Sequence, residues 1–371
     1  MAKNFKPGFT YQDFARDFTA EHFDASYWAN LFAKSGAKYV VLTSKHHEGY
    51  TMWPSKYSFS WNAQDVGPHR DLLGELAEVI RNETHMHFGV YHSLYEWYNP
   101  LYMSDRESNY TKQEFVEHKV FPEMLELVEK YRPEILWSDG EWEASDEYWR
   151  SKDFLVWLYN DSPVSETVVT NDRWGSNILC KHGDFYTCQD RYNPGVLQPH
   201  KWENAMTIDR QSWGYRVDAK LKDYLSSKEL ISELASTVSC GGNLLVNVGP
   251  TKEGIIAPIF EERLRDMGEW LQENGEAIYA TTPWKYQNDT QTNGVWYTSR
   301  HKGQRISVFA IVLNYPTPAN ITLYALGGKF DDKSKWTGTT QFVNVEFPPK
   351  NELDTRNLRF AWTFRIDLPK A

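Results

Sequence analysis

The sequence predicts an α/β chain: a (β/α) TIM-like barrel lacking its first strand, followed by an all-β C-terminal β-sandwich domain. Over the first three quarters, helix-like stretches alternate with short β-rich runs, the order that produces a parallel sheet. Those runs end in polar or charged groups, as the C-terminal strand ends of a barrel do. From about Ile278 the texture changes to short alternating strands separated by turn residues, as in a sandwich. The expected division is 1–276 for the catalytic barrel domain and 277–371 for the sandwich. At 371 residues the chain exceeds the size that one core serves well.

In chain order, Phe23 to Lys34 is amphipathic and leads to a buried strand, Lys38 to Thr43. That strand delivers Ser44-Lys45-His46-His47-Glu48-Gly49-Tyr50. Asp71 to Arg81 reads as a helix with Asp71 near its start, and Met86 to Ser93 follows with its Tyr91-His92 pair. A helix from about Lys112 to Lys130 leads into Glu134 to Glu143, an apolar run bounded by Pro133 and Gly140. It presents Asp139 between Trp137 and Trp142. Val168 to Trp174 is the next strand, and His200 to Glu203 a shorter one with Glu203 at its end. A helix from Ser227 to Ser239 precedes Asn243 to Pro250, and Glu261 to Asn274 is the last helix of the domain. About six such strands are counted, short of the eight of a closed barrel. In the second domain strands are expected at Val295 to Thr298, Ile306 to Val312, Asn320 to Leu323, Phe342 to Val345 and Phe360 to Phe364, with no helix.

Composition narrows the function. The net charge is −10 with no basic cluster, which argues against a nucleic-acid partner. No apolar run is long enough to span a bilayer. Sixteen tryptophans and 15% aromatic residues fit carbohydrate binding, or a tryptophan-rich core. No phosphate-cradling glycine loop or two-metal cluster is present, so chemistry without cofactor or metal is expected. Cys180 and Cys188 either close one loop as a disulfide or stand as free thiols, and Cys240 makes the third cysteine. The start, Met1 to Pro7, lacks the apolar core of a signal peptide. Five Asn-x-Ser/Thr sequons, at Asn82, Asn109, Asn160, Asn288 and Asn320, point instead to a secretory protein.

A carboxylate at a strand end between indole rings suits glycoside hydrolysis, because the rings stack on a sugar's apolar face while the carboxylate attacks an oxocarbenium-like centre. Retaining hydrolysis needs a second carboxyl about 5–5.5 Å from the first. Candidates are Asp190 and Glu203; Glu141 and Glu143 lie too near Asp139 along the chain. His46 and His47 are adjacent, and on an extended chain they would point opposite ways. That leaves them as hydrogen-bonding groups for sugar hydroxyls rather than ligands of one ion. Tyr91 and His92 offer a hydroxyl and an imidazole for the same task. Arg173 either clamps a substrate oxygen or neutralises a carboxylate such as Asp172 or Asp139.

Six strings in the same order closely resemble animal α-L-fucosidases of the lysosomal and plasma type, glycoside hydrolase family twenty-nine. They are Tyr39 to Tyr50, Asp65 to Leu72, Tyr91 to Trp97, Trp137 to Glu143, Asn171 to Gly175 and Gly241 to Pro250. The resemblance implies a retaining exo-hydrolase that removes terminal α-L-fucose from glycoproteins and glycolipids, on a (β/α) barrel with a C-terminal β-sandwich. The family nucleophile falls on Asp139, and fucose-binding residues on His46, His47, Trp137 and Arg173, with the Tyr91-His92 pair as a further contact. The family's acid/base falls in the loop after Arg173, on Asp190 first and Glu203 second. Fucosylated glycans are the implied partner, a homo-oligomer the implied assembly, and a lysosomal or secreted location the implied compartment. Relatives carry an upstream segment with the first barrel strand and tryptophan-rich fucose contacts, so the chain is expected to lack these. That expectation leaves an alternative, an inactive fucosidase-like protein that binds fucosylated glycans or a partner.

Overall fold

The computed structural model describes residues 5–303, 305–326, 342–355 and 359–368; the first four residues of the chain's start thus lie outside the described residues. The chain forms two compact units. The first comprises Met1–Ala33, Ala37–Cys188 and Gly249–Ala257; the second comprises Lys34–Gly36, Gln189–Val248 and Pro258–Ala371.

The first unit is built on a parallel sheet of β1 (Tyr39–Lys45), β2 (His87–Ser93), β3 (Ile135–Asp139) and β4 (Val169–Thr170), in that spatial order. Every residue of β3 is buried, as expected of a strand covered on both faces. Its register sets Trp137 beside Tyr91 and Asp139 beside Ser93, so the functional end of β3 meets the functional end of β2. Helix α1 (Ala25–Lys34) precedes β1, and between the strands run α2 (Leu72–Glu83), α3 (Pro100–Glu107), α4 (Phe121–Tyr131) and α5 (Ser151–Asn160). Asp71 caps α2 by accepting from the Gly74 amide at 2.9 Å. Two helices go beyond the sequence expectation. Asn99 caps α3 from 3.0 Å and Pro100 occupies its first turn, while Phe154 and Leu158 bury the inner face of α5. A π-helical turn, Val116–Val120, precedes α4, and Pro122 in the first turn of α4 lacks the N–H that a continuous α-helix would use.

In the second unit β5 (Trp202–Thr207) pairs in parallel with β6 (Gly242–Asn247), joined through α6 (Ser227–Ser239). Ser226 and Glu229 form a capping box at the start of α6. Gly242 is needed where it stands, because a Cβ there would lie 2.5 Å from the buried Trp202 ring. After α7 (Pro258–Asn274) the chain becomes antiparallel. Strands β7 (Thr282–Asn288), β8 (Val295–Lys302), β9 (Arg305–Val312) and β12 (Trp362–Leu368) make one sheet in the order β12-β9-β8-β7. Strands β10 (Asn320–Leu323) and β11 (Val343–Glu346) make a second. Val295, Tyr297, Val308 and Ala310 of the first sheet share one core with Ile321 and Leu323 of the second, which is sheet-on-sheet packing.

Three expectations change. The strand read as Val168 to Trp174 is two residues long, because Asn171 turns its side chain onto Ser138 instead of continuing the ladder. The short strand ending at Glu203 instead begins at Trp202 and runs on to Thr207. A short helix, α8 (Lys350–Thr355), occurs in the region expected to be all-β.

Candidate active site

Asp139 closes β3 at 8% exposure, and two groups hold its carboxylate from opposite sides. The Tyr91 hydroxyl donates to Oδ2 at 2.5 Å, and a guanidinium N–H of Arg173 donates to Oδ1 at 3.0 Å. The Tyr91 phenol is pushed well above its ordinary range, first by burial and then by Asp139, so it stays protonated as a donor. Trp137 faces the same way as Asp139 because alternate residues of a strand share a face. Its ring stacks on Tyr91 at 5.5 Å between centroids, and the Arg173 guanidinium carbon lies 4.7 Å above it. The four side chains form one packed group.

His47 adds a neutral imidazole. Its Nδ1 lies 2.8 Å from Ser93 Oγ, while the Ser93 hydroxyl donates to Tyr95 O at 2.9 Å. A serine has one hydroxyl hydrogen, so Nδ1 carries the proton and donates to Ser93. Nε2 is then a lone pair, and it lies 3.8 Å from Asp139 Oδ2. Burial, then the neighbouring His46, push the His47 pKa down to about 3. The imidazole is therefore neutral, with an acceptor lone pair at Nε2. His46 is more open, at 45% side-chain exposure, and its ring stacks on Tyr91 at 5.7 Å. The two histidines do not point to opposite faces. β1 ends at Lys45, so both sit in the turn beyond it and their rings come to 3.8 Å.

Behind Arg173 stands a buried polar support. The Cys180–Cys188 pair is a disulfide, which resolves the two options left by the cysteine count. Asp172, fully buried, accepts from the amides of Cys180, Thr187 and Cys188 and from the Thr187 hydroxyl. Thr187 Oγ1 in turn accepts from Arg173 Nε at 2.9 Å. Glu141, two residues past Asp139, is 4% exposed, and its Oε2 has no hydrogen-bond partner. Burial, with Asp139 adding to it, pushes the Glu141 carboxyl up to about 7.

Three candidate residues fall elsewhere. His92 is not in this group. It alternates with Tyr91 along β2 and so enters the opposite face, where its Nε2 lies 3.2 Å from Glu123. There Glu123 and Glu96 pair with Lys45 and Lys119, all buried. Burial, then Lys45, lower the His92 pKa to about 4, so this network has two cations for two anions. Glu203, expected at a strand end, is the second residue of β5, buried, and accepts from Asn243 at 3.0 Å. It stands at the N-terminal end of a parallel strand, where a barrel keeps its structural residues. Asp190 is exposed in a turn two residues after Cys188.

Ser93, Thr187 and Glu141 were not anticipated in a supporting role. Asp172 was, as a carboxylate for Arg173 to neutralise, and the structure links the two through Thr187.

Residues 1–276 match the family described as Alpha-L-fucosidase, and residues 287–367 match its C-terminal domain. Among similar proteins is the plasma alpha-L-fucosidase of Rattus norvegicus, 59% identical over 99% of this chain and 82% of its own. An alpha-L-fucosidase of Branchiostoma floridae is 61% identical over 87% of this chain and 71% of its own. The crystal structure of Thermotoga maritima alpha-fucosidase in complex with fucose is 32% identical, with a TM-score of 0.78 over 98% of this chain and 84% of that one.

Proposed function

The chain belongs to the alpha-L-fucosidase family, with the TIM-like barrel and C-terminal β-sandwich of that family, and on this premise we propose that Asp139 is its nucleophile. The reaction is retaining hydrolysis of a terminal α-L-fucoside. Asp139 attacks the anomeric carbon as an acid protonates the departing glycosidic oxygen. The covalent fucosyl-enzyme then reacts with water, from which the same residue, now a base, takes the proton. One observation carries the reading: the carboxylate at the end of β3 is gripped at both oxygens by Tyr91 and Arg173. A nucleophile held in one orientation has little left to reorganise at attack.

The remaining roles follow from chemistry at each position. His47 accepts a fucose hydroxyl through Nε2, His46 contacts the sugar from the open side, and Trp137 walls the apolar edge of the ring. Asp190 is the acid/base in this reading. It is exposed on the loop after Arg173, whereas Glu203 is buried against Asn243. We place the domain boundary at 276/277, a reading supported by matched segments at 1–276 and 287–367, whereas the compact units group 189–248 and 258–276 with the C-terminal strands. The compartment is secretory or lysosomal. All five sequon asparagines are exposed, and among the described residues no helix is long and apolar enough to cross a membrane.

The test is an Asp139→Gly variant given azide. Azide entering the vacated space should attack the anomeric carbon once and yield fucosyl azide of inverted configuration. A variant that hydrolyses aryl α-L-fucosides at the original rate would falsify the assignment.

A further inference from the structure

We propose that Asp172, Thr187 and the Cys180–Cys188 disulfide form a positioning relay for the nucleophile, so that reducing this disulfide slows turnover without unfolding the chain. The inference rests on the reading of Asp139 as nucleophile. The relay is continuous in hydrogen bonds. Asp172 Oδ2 takes the amides of both half-cystines, Cys180 at 2.7 Å and Cys188 at 3.2 Å. Its Oδ1 takes the Thr187 amide at 2.8 Å and the Thr187 hydroxyl at 2.7 Å. That donation uses the only hydroxyl hydrogen of Thr187, leaving its lone pairs to accept from Arg173 Nε. Arg173 then reaches Asp139 Oδ1 through a different nitrogen. The hydroxyl of Thr187 is thus fixed at both ends, and with it the rotation of the guanidinium plane.

The loop is held for this task at some cost in conformation. Cys180 and Cys188 have φ of 61° and 53°, values uncommon for residues with a side chain. Such conformations persist where the surroundings over-determine them. Here two covalently joined residues also share one carboxylate. The loop lies close against the strand it serves, since a Cβ on Gly183 would come 2.7 Å from Asn171 O. A second tie, the Thr170 amide to Asp184 at 2.8 Å, fixes the same edge. The Asp172 carboxylate and the two sulfurs lie within 4.8 Å, a metal-like grouping, but the sulfurs are bonded to each other.

Consequences follow for the reaction. Tyr91 grips one oxygen of Asp139 and Arg173 the other. If the relay loosens, the carboxylate turns about its own axis around the Tyr91 contact. That misaligns attack more than it weakens substrate binding, so kcat should fall with KM little changed. Reduction by a dithiol such as dithiothreitol delivers two electrons and two protons. The Cys180–Cys188 bond becomes two thiols while the dithiol closes to its own disulfide. The Asp172 acceptor then faces two unlinked amides.

The test compares Thr187→Val, Thr187→Ser and a Cys180→Ala/Cys188→Ala variant in the full chain, with an aryl α-L-fucoside. Thr187→Val should lose about tenfold or more in kcat, with KM within about threefold and a cooperative melt retained. Thr187→Ser, which keeps the hydroxyl, should recover to within about threefold of the original kcat. The cysteine variant, or the original chain treated with dithiothreitol, should lose kcat in the same sense. Combined with Thr187→Val it should add little, because both changes break one relay. An unchanged kcat in Thr187→Val, equal impairment in Thr187→Ser, or losses that multiply would each overturn the relay. If Thr187→Val does not fold, the serine variant and the dithiothreitol titration decide alone, and an unchanged kcat after complete reduction overturns the proposal. Formation of fucosyl azide by Asp139→Gly in the same preparation separates failure of the relay from failure of the nucleophile assignment.

Discussion

Replacing Glu141 by glutamine should make the stability of this chain less sensitive to pH, and the size of the effect can be worked out. The folded chain holds the Glu141 carboxyl up near 7, against 4.5 for the ordinary group, first through burial and then through Asp139. Between these two values the folded state keeps the proton and the unfolded state has lost it. Stability therefore falls as pH rises through that window and is fully present below its lower end. At about 1.4 kcal/mol for each pH unit, the loss is about 3 kcal/mol by neutral pH. An amide in the same place does not ionise. The difference between Glu141→Gln and the original chain should thus swing by about 3 kcal/mol in favour of the variant, or about 5 °C in melting midpoint for a domain of this size. The assay is a pair of thermal melts, at pH 4.5 and 7.5, with the lower pH setting the baseline for any packing change. A difference that stays constant between the two would refute the buried, proton-retaining carboxyl. The same variant should move the alkaline limb of kcat/KM upward, because it prevents a second negative charge from forming beside Asp139 and Arg173.

Other substitutions separate the roles assigned above. Asp190→Asn should lower kcat by about 10²-fold or more for poor leaving groups, and much less for fucosyl fluoride, whose departure needs no proton. Glu203→Gln should leave kcat within about threefold, because its carboxylate bonds to Asn243. His47→Phe keeps a ring against Tyr95 but removes the Nε2 acceptor. It should raise KM by about tenfold and leave any limb above pH 5 of the pH profile where it was, since burial pushes the His47 pKa down to about 3. Glu123→Gln should destabilise by about 3–5 kcal/mol, read as a lower melting midpoint, because it leaves Glu96 as the one carboxylate facing the buried Lys45 and Lys119.

How much of this was legible depended on whether local pattern or long-range register decided the outcome. The strand ends carrying His46-His47, Tyr91, Asp139 and Arg173 stood out because each follows an apolar run and each bears a functional group. His92 parts from Tyr91 because strand alternation sends one to Asp139 and the other into the Glu123 network, although the two were read as a pair. The opposite error occurred at His46-His47, where alternation was applied beyond the residue at which β1 ends. Glu203 was misplaced by a strand boundary: once β5 extends to Thr207, a residue read as its end becomes its beginning. Helix α3 was in fact signalled by Asn99 followed by Pro100. Thr187 had no local signal at all. It lies 14 residues from Arg173 in an irregular loop, and only the folded register brings the two together.

The electrostatics of the site make sense as suppression of every charge but one. Asp139 and Asp172 are two carboxylates, and the single guanidinium of Arg173 is joined to the first directly and to the second through Thr187. His47 could add a cation and Glu141 an anion, yet burial holds both neutral at mildly acidic pH. One net negative charge remains, on the group we propose as nucleophile, which would meet an oxocarbenium-like centre. A cationic His47 would compete with that centre for Asp139, and an ionised Glu141 would compete with Asp139 for Arg173. Tyr91 can grip the nucleophile without altering this balance, because its hydroxyl stays protonated and supplies a hydrogen bond rather than a charge. The buried imidazole and the buried carboxyl serve the same end, and both lose stability to the fold in doing so. That is why a neutral replacement at Glu141 should stabilise the chain at neutral pH, whereas one at Asp139 should abolish its chemistry.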